Sequence, residues 1–122
     1  MTINLTDPVG EVSVETAQRD GHMTALAAAE HLISTSPVIP AELETRCRPW
    51  ATGQLVIILH FFDAPDDVRA FAEHFDLAVG ERVVDDSQVF EVEAEGVVSG
   101  VQVRAWCRVR PAESVAVSAV AA

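Results

Sequence analysis

The sequence predicts an α+β protein: a two-layer sandwich in which two helices pack on one face of a mostly antiparallel sheet of four to six strands. Three observations carry this expectation. Residues 89–95 and 101–109 alternate apolar and polar side chains with the period of half-buried strands. The run from Leu55 to Phe62 is apolar on both of its faces, so both faces should be covered. Val68, Phe71, Ala72 and Phe75 fall at helical spacing behind Asp63-Ala64-Pro65-Asp66, a sequence suited to opening a helix.

Taken in order, residues 1–19 contain the short alternation Val12-Ser13-Val14 and leave two options open, an edge strand or a mobile arm. Asp20-Gly21 suggests a helix start, and the Ala-, Leu- and Glu-rich segment from His22 to Ser34 should form a helix with Met23, Leu26, Ala29, Leu32 and Ile33 as its apolar stripe. Ser36-Pro37 stops it. Glu42–Arg48 alternates as a strand, and Ala51-Thr52-Gly53 reads as the turn into the doubly apolar strand.

In the second helix Asp63 is expected to cap the free amides, Pro65 to sit in the first turn, and Gly80 to close the exit. A short strand over 81–84 leads to a turn at Asp85-Asp86-Ser87. The last two strands form a hairpin across Gly96 to Gly100. A centred turn there would set Glu95 opposite Gln102, Glu93 opposite Arg104 and Glu91 opposite Trp106. Residues 20–110 thus form one domain, and 111–122, small and apolar, a flexible tail with a terminal strand as the alternative. A ferredoxin-like arrangement is one candidate topology.

Composition narrows the function classes. With 122 residues, 49 % of them hydrophobic and 22 % charged, the chain has enough apolar material for one core. Its formal net charge of -11 opposes binding of nucleic acid phosphates. The apolar runs fall short of the roughly 20 residues of a membrane helix, and the first residues have no basic and apolar leader, so a cytoplasmic location is expected. There Cys47 and Cys107 should be reduced, packed thiols.

The residues name no reaction. No metal spacing, phosphate loop or cofactor fingerprint stands out, and no metal ligands, cofactor or catalytic residues are expected. The candidate interaction surface combines Arg46, Arg48 and Trp50 with Arg104, Trp106, Arg108 and Arg110, where arginines and both tryptophans cluster. The candidate pocket is His60 with Asp63 at the end of the apolar strand. The leading expectation is a non-enzymatic protein-interaction or regulatory module that self-associates through its sheet as a homodimer. The alternatives are a small-molecule-binding domain or enzyme at His60 and Asp63, and an acidic inhibitor that imitates nucleic acid through Glu91, Glu93 and Glu95.

Overall fold

The computed structural model describes residues 13–84 and 89–109. Its elements run α1 (Val14–Thr35), β1 (Glu42–Arg48), β2 (Ala51–His60), α2 (Pro65–Phe75), β3 (Ala78–Val84), β4 (Val89–Val98) and β5 (Val101–Val109). The strands form one five-stranded sheet in the order β1-β2-β5-β4-β3, antiparallel except for the parallel pair β2 and β5. Both helices lie on one face, α1 against β1 and β2, and α2 against β5 and β4. The fold is α+β. The chain order differs from the βαββαβ order of a ferredoxin-like unit.

The first helix begins at Val14, well before Asp20, because Ser13 caps it by accepting the Thr16 amide at 3.0 Å. Residues 14–19 of the expected arm or edge strand are therefore helical; residues 1–12 of that arm, the Asp85-Asp86-Ser87 turn and the tail at 111–122 lie outside the described residues. The stripe that α1 buries is Gly21, Ala25, Ala28, Ala29 and Leu32, rotated from the one expected. Met23 and Leu26 face outward, 62 % and 51 % exposed. Small residues win this contest because they let the helix backbone approach the sheet. A Cβ at Gly21 would stand 2.9 Å from Leu55 Cδ2 and closer still to Cys47 Sγ, which is the use of a glycine inside a helix despite its cost of about 1 kcal/mol.

At α2, Pro65 takes the first turn with Asp66 and Asp67, but Asp63 does not cap it. Asp63 stands in the left-handed region at φ 53°, and the residue at the cap position is Ala64. The Ala64 amide instead donates to Cys107 Sγ at 3.2 Å, which ties the helix entrance to β5. Asp76, also left-handed, ends the helix, so Gly80 is free to lie within β3.

The helix-side face of the sheet is sealed over its three central strands. Ile57, Leu59 and Phe61 of the β2 segment, Val101, Val103, Ala105 and Cys107 of β5, and Val92 and Ala94 of β4 are all buried under Leu32, Val68, Phe71 and Ala72. The strand expected to be doubly buried is sealed on this face only: Val56, Ile58 and His60 on the other side are half-buried, and Phe62 beyond them is exposed.

Two turns lie away from their expected places. The β1–β2 turn is at Pro49-Trp50, so Ala51, Thr52 and Gly53 belong to β2. The last hairpin turns on Ser99 and Gly100, both left-handed with φ of 52° and 78°, the conformation that two-residue hairpin loops favour. This moves the register by two residues: Glu95 faces Arg104, Glu93 faces Trp106 and Glu91 faces Arg108.

Gly21→Val should lower the unfolding free energy by about 2 kcal/mol, because the added methyls have no room beside Cys47 and Leu55. Gly80→Ala, in open space, should leave it within about 0.5 kcal/mol. Denaturant titration of both variants measures the difference.

Candidate functional site

Alternation and register together decide what stands on the helix-free face. Across it run Arg82, Glu91 and Arg108; then Gly80, Glu93, Trp106, His60 and Glu42; then Ala78, Glu95, Arg104, Ile58 and Glu44; and finally Val97, Gln102, Val56 and Arg46. Arg46, Arg104, Trp106 and Arg108 of the expected surface therefore do share one face. Arg48 and Trp50 lie at the β1–β2 turn, with the Arg48 guanidinium 5.9 Å from the exposed Trp50 ring. Arg110 lies outside the described residues.

Glu91 is 2 % exposed although it sits on the face without helices. Arg82 of β3 donates from Nε to its Oε2, and Arg108 of β5 donates from Nε to its Oε1, each at 3.1 Å. A buried carboxylate costs several kcal/mol to desolvate, and two charge-assisted hydrogen bonds from neighbouring strands are what offset it. One side chain thereby links three strands.

Glu93, Glu95 and Arg104 form a second cluster beside it. Arg104 Nη2 donates to Glu93 at 2.7 Å, while its Nε lies 3.8 Å from Glu95, is buried and has no hydrogen-bond partner. Two carboxylates share one guanidinium, and they diverge in acidity. The Arg104 hydrogen bond, aided by one from Glu95, holds Glu93 below its ordinary pKa. Glu95, hydrogen-bonded to the ionised Glu93, is pushed above its own.

Trp106 occupies the middle of the face. The His60 ring stacks on it at 4.2 Å and 22°, and the Arg108 guanidinium lies 5.6 Å from its centroid. His60 Nδ1 is 3.2 Å from Glu42 Oε1, and Phe62 meets the ring edge-on. These partners of His60 do not include Asp63, which is exposed past the strand end. Cys47 and Cys107 are buried and free, and burial raises the Cys107 thiol pKa. No group of three potential metal ligands occurs among the described residues. The glutamate row is not a line of free charges, since Glu91 and Glu93 are bonded to arginines.

A groove of about 660 Å³ follows β3, lined by Ala78, Gly80, Arg82, Glu93, Glu95 and Arg104 among others. It exists because Ala78 and Gly80 put almost no side chain on this face. Sequence reasoning missed it by beginning β3 at Glu81; Gly80 read as a helix terminator, and only Val79, Glu81 and Val83 hinted at a longer strand.

The two edges of the sheet differ. The pairing of β1 shifts register between Arg46 and Arg48, and its residues Glu42, Glu44, Arg46 and Arg48 are charged, both of which discourage further pairing. By contrast β3 pairs with β4 without interruption over seven residues, contains no proline, and leaves Val79 and Val83 exposed at 45 % and 62 %. Its pairing is regular from end to end.

Glu91→Ala should cost about 2–3 kcal/mol of stability, and Arg82→Ala, which removes one of its two donors and leaves Arg108 in place, about 1–2 kcal/mol, as equilibrium denaturation will measure. Glu93, with its lowered pKa, stabilises the fold at neutral pH and loses that effect as the pH falls through its folded value. Glu95, with its raised pKa, favours the folded state in acid and opposes it as the pH rises through its folded value. Glu95→Gln should therefore raise the denaturation midpoint at neutral pH and lose that advantage below the ordinary glutamate pKa, a comparison made by repeating the titration across pH. No known protein family, characterised protein or solved structure matches this chain.

Proposed function

We propose that this chain is a small non-enzymatic protein-interaction module that self-associates through its sheet, with β3 as the contact. The observation that carries the reading is the contrast between the two edges. An edge strand presents a row of unpaired amides and carbonyls, and proteins that must not associate there interrupt it with bulges, prolines or charges. At β1 the pairing breaks and four charged residues lie along the strand, whereas β3 pairs without a break and carries two, Glu81 and Arg82.

Electrostatics favour contact on this layer over the helix side. The helix-free face bears Glu42, Glu44, Glu91, Glu93 and Glu95 against Arg46, Arg82, Arg104 and Arg108, so it is close to neutral in a chain of formal charge -11. Two copies meeting along the sheet avoid most of the repulsion they would feel elsewhere. Arg104, Trp106 and Arg108 then have a structural duty on the outer side of β5, since they are bonded or stacked within the chain.

Pairing along one seven-residue strand buries less than the roughly 1,600 Å² of a standard interface, so the dimer should be weak, with a Kd on the order of micromolar. Sedimentation velocity across concentrations spanning that range should show a monomer–dimer equilibrium. Val83→Lys, an exposed change on β3, should leave the circular dichroism unaltered and abolish the dimer. A strict monomer, or a dimer indifferent to Val83→Lys, would overturn the reading.

A further inference from the structure

We propose that Glu95 is a two-position switch on the helix-free face. In one position its carboxyl group shares a proton with Glu93. In the other its carboxylate accepts a hydrogen bond from Arg104 Nε, and loss of the proton moves it from the first position to the second. The device lies within one copy of the chain and does not depend on self-association.

Register and alternation bring the three side chains together. Glu93 and Glu95 stand two residues apart on one side of β4, and Arg104 of β5 lies directly opposite Glu95. Arg104 nevertheless gives its short hydrogen bond to Glu93, from Nη2 at 2.7 Å. Its Nε is buried, has no hydrogen-bond partner, and lies 3.8 Å from Glu95 Oε1. A buried N–H without an acceptor is costly, and an ordinary N–H···O bond spans about 2.9 Å, so a carboxylate shift of about 1 Å would satisfy it. The Glu95 side chain is 51 % exposed and has the freedom to make that shift while the strands stay paired.

The hydrogen bond to Glu93 is what keeps Glu95 from Nε, and two carboxyl groups hydrogen-bond only with a proton between them. Arg104 holds Glu93 ionised, with the field of Arg82 in support, so the proton belongs to Glu95. Once it leaves, the two anions repel, and Nε is the open donor beside them.

The other charged groups of the face have partners of their own. On β3 the residue opposite Glu95 is Ala78, followed on that side by Gly80 and Arg82, and Arg82 and Arg108 both donate to Glu91. Beyond Arg104 the row of Glu95 continues through Ile58 to Glu44, which is bonded to Arg46. In the row of Glu93, Trp106 stands between it and His60, whose Nδ1 meets Glu42. Both helices lie on the opposite face.

The switch sets the charge of the groove wall. With Glu95 protonated, Glu93 and Arg104 balance each other. With Glu95 ionised, the three side chains carry one net negative charge, so the groove they line along β3 gains that charge as the pH rises.

Nuclear magnetic resonance reads both ends of the device in one pH titration, through the side-chain carboxyl carbon of Glu95 and the Nε–H of Arg104. In the wild-type chain the Glu95 carbon should titrate above the ordinary glutamate range. At the same midpoint the Arg104 Nε–H should shift downfield, and its exchange with solvent should fall about tenfold behind the trend set at lower pH, as a new hydrogen bond protects it. Glu95→Gln should leave that Nε–H without a midpoint. Glu93→Gln, which offers no anion to share the proton, should move both midpoints together to lower pH. An Nε–H that ignores the Glu95 titration, or that keeps its midpoint in Glu95→Gln, would overturn the switch. So would a wild-type Glu95 that titrates at the ordinary value, or midpoints that Glu93→Gln leaves in place.

Discussion

The parallel pairing of β2 with β5 is the constraint on which the rest of the fold depends. These strands are separated in the chain by α2, β3 and β4, yet they lie side by side, and Phe61 extends the pairing by donating to the Trp106 carbonyl at 3.0 Å. Their juxtaposition joins a two-stranded unit, β1 and β2 under α1, to a three-stranded meander under α2. Ile57 and Leu59 lie beside Val103 and Ala105 at the join, and all four are fully buried. Without it neither part has a second layer wide enough to bury its apolar face.

The same join explains the helix-free face. A strand as apolar as β2 needs cover on both sides, and on this side the cover consists of long polar side chains laid across the sheet. His60 and Arg108 lie against Trp106, and Arg104 extends toward the glutamates of β4. Arginine stems are apolar enough to shield Val56 and Ile58 while their guanidinium groups stay bonded or wet. Of the arginines and tryptophans that read as a recognition surface in the sequence, Arg104, Trp106 and Arg108 are thus held by partners within the chain.

How much of this was legible in the sequence depended on whether a feature was local. Strict alternation marked the inward and outward sides of β4 and β5, and so placed Arg104, Trp106 and Arg108 on the face of the glutamates. The burial of Glu91 was invisible because it requires knowing that Arg108 lies opposite and Arg82 on the other flank, and a shift of two residues in the hairpin register changes both partners. The face of α1 was misread for a related reason: hydrophobicity favours burying Met23 and Leu26, but the approach to Cys47 and Leu55 rewards small residues, and that distance belongs to the tertiary structure. At β3, Gly80 read as the stop of the second helix, whereas left-handed Asp76 ends α2 earlier and leaves Gly80 to the strand.

The close approach of Gly21 to Cys47 has a consequence for how the molecule moves. With the thiol shut beneath a helix that has no side chain to spare there, a thiol reagent reaches Cys47 only when α1 lifts from the sheet. The labelling rate of this one sulfur is thus a clock for the opening of the first helix, separable from the opening of α2, whose entrance covers Cys107.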